Sequence, residues 1–344
     1  MHRPLHRDIA LMPHSRRHAR LASLAVTLLV SLTGVAGAQT PSASSGAFPD
    51  RAVRLILSFA PGGFADITAR LLAERMAPLL GQQMVVENLP GAGGAAAAQA
   101  ALRGKPDGHT LLLLVNGHAT TKAAFKNPPF DPVKDFAAVG LLSFFDLIVV
   151  TRSDGPHPTL SALIANAKER PGRLNIGTVN PGSTQNLAAE LIKATTSIDV
   201  SIVPYKGTPD LAVAVLGGQL DALVDTYTAL KSQIDSGRLR AVVSSGSRRS
   251  AYLPNVPTMQ ESGFQGFDVI GWNGLAVPPG TPAAVIATLN RHLNTVIGAA
   301  EFRKRLLELG AEPAGGTAEE MARRVANDVA RWEAVAAKAG LEKL

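Results

Sequence analysis

Apolar segments of strand length alternate with segments of helical periodicity along most of this 344-residue chain. Residues 53–59 (VRLILSF) predict a buried strand, and the glycine turn at residues 61–63 leads into a predicted helix that Gly81 ends. The same order of strand, turn and helix returns several times at short spacing. Such alternation is typical of α/β proteins with a mostly parallel sheet. We therefore expect an α/β fold.

Two long apolar strands divide this series. They are predicted near residues 141–150 and 268–277. The three predicted helices after the second strand lack strands of their own, so they must pack back on the first part of the chain. The length is also sufficient for about two domains of ordinary size. The sequence predicts crossings near 148 and 268, with domain 1 formed by residues 48–148 plus 268–344 and domain 2 by residues 149–267.

The N-terminus has the three parts of a secretory signal. Five arginines precede an apolar run at residues 21–35, and the small residues 36–38 follow it. The run is shorter than the roughly 20 residues of a membrane span. We expect cleavage after Ala38, a linker at residues 39–47 and a periplasmic mature protein. An uncleaved anchor is the alternative, and the route of export and the start codon (Met1 or Met12) stay open.

Charge and cysteine content exclude several classes of function. Removing residues 1–38 lowers the formal net charge from +7 to +3, because five arginines and one aspartate leave with them. No basic stretch with interleaved aromatics remains, so nucleic-acid binding is not expected. A chain without cysteine has no disulfide, thiol nucleophile or Cys-ligated metal.

Motifs of enzymes and cofactor sites are missing from the sequence. It contains no H-E-x-x-H, G-x-S-x-G or P-loop pattern. Residues 91–96 (GAGGAA) match a dinucleotide-binding outline, but Leu89 and Pro90 separate them from the strand, and we interpret the glycines as a tight turn. His118 is the one histidine placed just past a predicted strand, where ligands collect. We expect a protein that is not an enzyme and has no cofactor or metal.

Two predicted strand-to-helix loops are suited to hold an anion. Free N–H groups of a first helical turn bind anions without Lys or Arg, and glycines let a ligand approach the backbone. Asp66 is expected either to cap the helix or to accept a hydrogen bond from the ligand. The candidates in the first loop are Ala60, Pro61, Gly62, Gly63, Phe64, Ala65 and Asp66. The second loop is residues 177–185 (GTVNPGSTQ), and its Ser and Thr at a helix start are more often caps than ligand groups.

Motifs across nearly the whole chain resemble one family. They are SFAPGGFADITAR (58–70), VVENLPGAGG (85–94), PDGHTL (106–111), PGSTQNLAAE (181–190), VPYKG (203–207), LGGQLD (216–221), NVPTMQESG (255–263) and WNGLAVPPGTP (272–282). In this order they resemble the Bug family of extracytoplasmic solute-binding receptors, which serve tripartite tricarboxylate transporters. The chain departs from the family pattern at Leu89 and Asn186, where the family commonly has Arg and His.

The resemblance implies a fold, a ligand and a partner. The fold is type II periplasmic-binding-protein-like, with two domains closing on a small carboxylate (a di- or tricarboxylate, an aromatic acid or an amino acid), and the partner is a membrane permease. In the second loop, the resemblance implies ligand contacts at Thr178, Gly182, Ser183, Thr184 and Gln185. It also implies contacts at Tyr205, Lys206, Asp225 and Thr226, from neighbouring strand ends. Two alternatives stay open: a sensor partner that presents the ligand to a membrane histidine kinase, and, more remotely, an exported hydrolase with Ser183 or Thr184 as nucleophile.

Overall fold

The computed structural model describes residues 48–344. The predicted signal peptide (1–38) and the predicted linker (39–47) precede this part, so both predictions lie outside the described residues. Within residues 48–344, no helix has the length and apolar character needed to cross a membrane.

Strands and helices alternate as expected. The N-terminal part contains β1 (Val53–Leu57), α1 (Phe64–Leu80), β2 (Met84–Asn88), α2 (Ala95–Leu102), β3 (Thr110–Val115), α3 (Asn116–Ala119), α4 (Thr121–Ala124) and β4 (Ala137–Arg152). The middle part contains α5 (Leu160–Glu169), β5 (Asn175–Val179), α6 (Thr184–Thr196), β6 (Ser201–Tyr205), α7 (Thr208–Leu216), β7 (Ala222–Thr226), α8 (Tyr227–Asp235) and β8 (Leu239–Ser244). The C-terminal part contains β9 (Ile270–Val277), α9 (Ala283–Gly298), α10 (Ala300–Glu308), β10 (Glu312–Gly315) and α11 (Ala318–Lys338).

The strands form one mixed sheet in the order β2-β1-β3-β9-β4-β7-β5-β6, with β8 and β10 also paired to β4. Only the pairs among β1, β2 and β3 and among β5, β6 and β7 are parallel, whereas every pair that includes β4 or β9 is antiparallel. The expectation of a mostly parallel sheet was therefore wrong. Its premise, a helical crossover between neighbouring strands, fails for β4 and β9, which run side by side in opposite directions.

Strand β4 connects two halves of the sheet. Its residues from Ala137 to Asp146 pair with β9, and from Leu147 onward it pairs with β7 and β8 instead. We call the strands β1, β2, β3, β9 and β10 with the start of β4 the first half. The second half is formed by β5 to β8 with the end of β4. The chain returns to the first half at Ile270, where β9 begins.

The core follows from the apolar runs that predicted the strands. All residues of β3 are buried, because helices cover both faces of this central strand. The C-terminal helices do pack back as expected: α9 contacts α1 and β4, and α11 contacts α3, α4 and β4. Trp272, fully buried on β9, donates its indole N–H to Asp328 of α11 and fixes that helix on the sheet.

Candidate functional site

The first predicted loop leads from β1 into α1. Gly63 is the residue before α1, and no side chain caps the first turn of that helix. Asp66 is the third residue of the helix and not its N-cap, so the first of the two roles predicted for it was wrong. Gly62 has a positive φ of 84° and donates its N–H to Asp66 Oδ2 at 3.0 Å. The N–H groups of Phe64 and Ala65 have no intrahelical acceptors, because both residues lie in the first turn of α1.

The carboxylate of Asp66 is fully engaged within the protein. Its Oδ1 accepts hydrogen bonds from Arg70 Nε at 2.9 Å and Asn88 Nδ2 at 3.0 Å. Burial raises the pKa of Asp66, but the hydrogen bonds from Arg70, Gly62 and Asn88 outweigh burial and hold the pKa below its usual range. Asp66 is therefore ionised at neutral pH, and it holds the loop in place through the hydrogen bond from Gly62.

The second predicted loop leads from β5 into α6. Gly182 has a positive φ of 75° and donates its N–H to Asn186 Oδ1 at 3.0 Å. Ser183 is the N-cap, and its hydroxyl accepts from the N–H of Asn186 at 3.1 Å and donates to the carbonyl of Val179 at 2.8 Å. Thr178 is fully buried and contacts Asn186 Nδ2 at 3.3 Å. The N–H groups of Thr184 and Gln185 remain free of intrahelical acceptors.

A third helix begins beside these two loops. The sequence predicts a helix at residues 209–216, but its start was not named as part of the site. Helix α7 starts at Thr208 after Gly207, again with no side chain capping its first turn. The sequence Gly207-Thr208-Pro209, directly after a predicted strand, is the same kind of signal as the two loops that were recognised. The prediction instead named the residues just before it, Tyr205 and Lys206.

The three helix starts meet at one cavity between the halves of the sheet. In this arrangement the cavity has a volume of about 30 Å³, which is close to the space of one water molecule. A carboxylate of several carbons therefore enters only if the halves separate. The lining residues are Phe59, Ala60, Gly63, Phe64, Ala65, Val115, Phe145, Val179, Thr184, Gln185, Gly207, Thr208 and Asp225.

The cavity attracts an anion through helix N-termini. Each helix N-terminus carries a partial positive charge of about half an elementary charge, and α1, α6 and α7 all begin in the lining. None of the lining residues in the described chain is Lys or Arg. Phe59, Phe64, Val115, Phe145 and Val179 supply an apolar wall. The geometry therefore suits a small organic anion with a carbon skeleton.

Asp225 is the one acidic residue in this lining. It is 1% exposed, and its carboxylate accepts from Thr208 Oγ1 at 2.6 Å, from Gln185 Nε2 at 3.1 Å and from the N–H of Thr226 at 2.8 Å. Burial raises the pKa of Asp225 above its usual value, although these hydrogen bonds offset part of the increase. Asp225 thereby fixes Thr208 and Gln185, from two different helices, at the floor of the cavity.

His118 lies next to a second, smaller cavity of about 10 Å³, together with Gly182 and Ser183. Its Nδ1 accepts a hydrogen bond from the N–H of Val115 at 3.0 Å, so Nε2 carries the proton. Burial lowers the pKa of His118 to about 3. The imidazole is therefore neutral and adjoins the main cavity without lining it.

Other predicted residues lie outside the main cavity. Pro61, Gly62 and Lys206 are exposed, and Tyr205 is half-buried at the end of β6. Thr226 is buried beside Asp225, but it is not part of the lining. Of the predicted residues, the structure brings together Ala60, Gly63, Phe64, Ala65, Thr184, Gln185 and Asp225. The apolar residues Phe59, Val115, Phe145 and Val179 were missed, because strand register decides which of their side chains face the cavity.

Direct hydrogen bonds join the two halves around the cavity. Gly93 N–H donates to the carbonyl of Pro181 at 3.1 Å, and Thr120 Oγ1 donates to the carbonyl of Gly182 at 2.8 Å. Asn180 Nδ2 donates to the carbonyl of Ser58 at 3.2 Å. These contacts hold the second loop against the first half of the sheet, which is a closed arrangement.

Comparison with known proteins agrees with this geometry. The family model of the tripartite tricarboxylate transporter family receptor matches residues 68–341. The chain belongs to this receptor family. Its α/β fold is that of the periplasmic binding proteins of this family, with the candidate site in the cleft between the two halves.

Three solved structures of similar proteins illustrate the family. The periplasmic binding protein BugD is 33% identical, with a TM-score of 0.82 over 86% of this chain and 100% of BugD. Rpa4515 of R. palustris with adipate is 31% identical, with a TM-score of 0.83 over 86% of this chain and 100% of that protein. MatC of Rhodopseudomonas palustris with bound malate is 33% identical, with a TM-score of 0.80 over 84% of this chain and 100% of MatC. These receptor-family relatives are solute-binding proteins.

Proposed function

We propose that this protein is an extracytoplasmic receptor that captures a small carboxylate between the halves of the sheet. The observation that carries the proposal is the meeting of three helix N-termini at one cavity without a Lys or Arg in its lining. Oriented N–H groups stabilise a carboxylate without the cost of desolvating a cationic side chain. The adjoining apolar wall accommodates the carbon skeleton.

The ligand class is supported by two relatives. Rpa4515 is solved with adipate and MatC with malate, and both are dicarboxylates of few carbons. In this chain we assign the carboxylate to the N–H groups of Gly63, Phe64 and Ala65 on one side. On the other side we assign it to Thr184 and Gln185, with Thr208 and Asp225 completing the floor.

Capture requires that the halves move apart and close again. We propose that they act as two lobes, formed by residues 48–148 plus 268–344 and by residues 149–267. Only segments near β4 and β9 connect them along the chain, which is the arrangement of a hinge. The two lobes approach closely at Gly207, where an added Cβ would lie 2.7 Å from the Cβ of Ala60.

Export and delivery follow from the N-terminal sequence and the family. We propose that the signal segment is removed after Ala38 and that the mature protein is periplasmic. We further propose that the loaded, closed form delivers the ligand to the membrane permease of a tripartite tricarboxylate transporter.

The hydrolase alternative has little support. The Ser183 hydroxyl already donates to Val179 and accepts from Asn186. The Thr184 hydroxyl is 3.2 Å from Asn116 Oδ1. His118, at the same small cavity as Ser183, accepts the Val115 N–H at Nδ1, so its Nε2 carries a proton and cannot take one from a hydroxyl. Within residues 48–344 neither hydroxyl is hydrogen-bonded to an imidazole base.

A panel of organic acids tests the proposed function. A ligand at 100 times its dissociation constant stabilises the folded state by about 2.7 kcal/mol, which raises the melting temperature by roughly 5 °C for a protein of this size. We expect at least one small carboxylate to give this shift, and mass spectrometry of the purified protein identifies a ligand that co-purifies. No shift with any di- or tricarboxylate, aromatic acid or amino acid would contradict the proposal.

Gly207→Val separates closure from folding in the same assay. Gly207 has an extended backbone (φ −170°), which valine adopts without strain, but its side chain would collide with Ala60 across the cavity. We expect ligand affinity to fall by about 100-fold, the effect of a few kcal/mol of overpacking. Gly298→Val is the matched control, because a Cβ there meets nothing within 4 Å.

A further inference from the structure

A second cavity, of about 470 Å³, lies away from the carboxylate site. It is bounded by α6 of the second half, by α11 of the first half and by residues 265–269, which bring the chain back to the first half. It shares no lining residue with the carboxylate cavity. Its volume is within the range of about 300 to 1,000 Å³ that is typical of small-molecule sites.

The spacing of residues on the two helices creates this space. Leu191, Ala194 and Thr195 of α6 follow each other at positions i, i+3 and i+4 and so share one face of the helix. Trp332 and Val335 of α11, with Ala339 directly after the helix, likewise share one face. The small side chain of Ala194 leaves room between the helices. Trp332, Val335 and Leu191 then form an apolar floor.

Two cations lie at the edge of this floor. Arg331 and Lys338 are seven residues apart, two turns along α11, and both side chains are exposed. Within residues 48–344 neither of them has a carboxylate within 4 Å, unlike Arg324 on the same helix, which pairs with Asp328 at 2.9 Å. Arg331 donates one N–H to the backbone carbonyl of Asp268, which leaves its other donors available. The lining contains one carboxylate, Asp268, but it forms no ion pair with either cation, so both positive charges lack an anionic partner in the described chain.

We propose that this cavity is a second binding site, for an amphipathic organic anion that has a carboxylate head and an apolar body. The head would bind Arg331 and Lys338, and the body would cover Trp332, Val335 and Leu191. A helical guanidinium and ammonium next to an apolar floor match such a ligand in both charge and surface. An occupant contacts both halves of the sheet and the returning segment at once.

Octanoate is the probe that tests this site. It combines a carboxylate with an unbranched apolar chain, and it has no absorbance that interferes with tryptophan emission. The chain has two tryptophans, and Trp272 is fully buried on β9. We expect octanoate to change the emission saturably at concentrations up to about 10 mM, equivalent to at least roughly 3 kcal/mol of binding free energy. The change should disappear in Trp332→Phe, while calorimetry still detects the binding.

Matched variants identify where octanoate binds. Ala194→Phe fills the cavity and should abolish binding, whereas Ala337→Phe, on an exposed part of α11 outside the lining, should not. Replacing both Arg331 and Lys338 with Gln should weaken binding about tenfold, which corresponds to one charge-assisted hydrogen bond. Circular dichroism and melting temperature confirm that each variant is folded.

Three results would overturn the proposal. The first is no saturable octanoate binding to the native protein in this concentration range. The second is binding that Ala194→Phe leaves unchanged. The third is binding that is lost in Gly207→Val, which would place octanoate in the carboxylate cavity instead.

Discussion

The turns that begin α1 and α6 have the same construction in the two halves of the sheet. Residues 61–66 read PGGFAD and residues 181–186 read PGSTQN. In each, the glycine after proline has a positive φ and donates its N–H, at 3.0 Å, to the side chain four residues later. Each glycine also faces the opposite half: a Cβ added at Gly62 would meet Pro209 of α7, and one added at Gly182 would meet Phe125, which follows α4.

The turns differ in charge and in capping. The first ends on ionised Asp66, which Arg70 compensates one helical turn later at 2.9 Å. The second ends on neutral Asn186, and one turn later the chain has Glu190. The first helix has no capping side chain, whereas Ser183 caps the second. The same backbone turn is therefore stabilised in two ways. The residue four positions later, Arg70 or Glu190, explains why the first turn accommodates a carboxylate and the second a neutral amide.

Alanine at the two positive-φ glycines should separate backbone strain from contact across the cavity. Strain of roughly 1 to 2 kcal/mol is common to both positions. A Cβ at Gly182 would also lie 2.4 Å from the ring of Phe125, against 3.3 Å from Pro209 at Gly62. We expect Gly182→Ala to lower carboxylate affinity about 30-fold and Gly62→Ala about fivefold, as measured by calorimetry. Gly182→Ala combined with Phe125→Ala should recover most of the extra loss of affinity seen in Gly182→Ala. Equal losses of affinity in Gly182→Ala and Gly62→Ala would contradict a role for the Phe125 contact.

Asn186→Asp gives the second turn the charge of the first without its compensating arginine. The new carboxylate faces Glu190 at i+4 and the carboxylate ligand near α6. We expect ligand affinity to fall about tenfold at neutral pH, as two close like charges do. Adding Glu190→Arg rebuilds the pair seen at Asp66 and Arg70, and should restore stability and part of the affinity. If Asn186→Asp binds as tightly as the native protein, charge does not distinguish the turns.

Asp66→Asn removes the charge of the first turn and should lower the stability of the fold. The pKa of Asp66 is lower in the folded protein than in the unfolded chain. The carboxylate therefore stabilises the fold above its unfolded pKa, and this stabilisation is lost as pH falls through the folded pKa. We expect Asp66→Asn to lower the unfolding free energy at pH 7 by about 1 kcal/mol. Urea unfolding should show a weaker loss of stability in acid than the native protein shows; a parallel pH profile would assign the shift to other groups.

Gly63→Ser should have the smallest effect, because it copies only the cap of the second turn. The backbone at Gly63 (φ −86°, ψ 175°) suits an N-cap serine, and a Cβ there would lie 3.4 Å from Thr208 Oγ1. We expect capping to stabilise the fold by about 0.5 kcal/mol. Ligand affinity should fall about threefold, because the serine hydroxyl would accept a hydrogen bond from an N–H group of α1 that otherwise binds the ligand. An increase in affinity would show that the uncapped N–H groups of α1 are not ligand donors.

Local sequence signals predicted most elements but not how they meet. Apolar runs and glycine stops located α1 and its end at Gly81, where the backbone is left-handed, and the strands of both halves. Strand β10 was missed because it has only four residues and includes Pro313, and α8 because it follows β7 without an intervening turn. The antiparallel pairing of β4 with β9 depends on contacts more than 120 residues apart, for which no local pattern exists.

The candidate site was predictable to the same extent. Helix-start signals identified two of the three loops, because such signals are local. The engagement of Asp66 by Asn88 required knowledge that β2 lies beside β1, and the apolar wall required the register of several strands. Helix capping and ligand binding use the same residue types, so the sequence does not distinguish the two roles of Asp66. The structure does, because it places Gly63 at the N-cap position.

A crystal structure with the tightest-binding acid of the panel tests the central claim most directly. We predict one carboxylate group between the two turns, with oxygens about 3 Å from the backbone N–H groups of Phe64 or Ala65 and of Thr184 or Gln185. We also predict no Lys or Arg side chain in contact with that group. A carboxylate bound at any other place, or held there by a cationic side chain, would contradict the account.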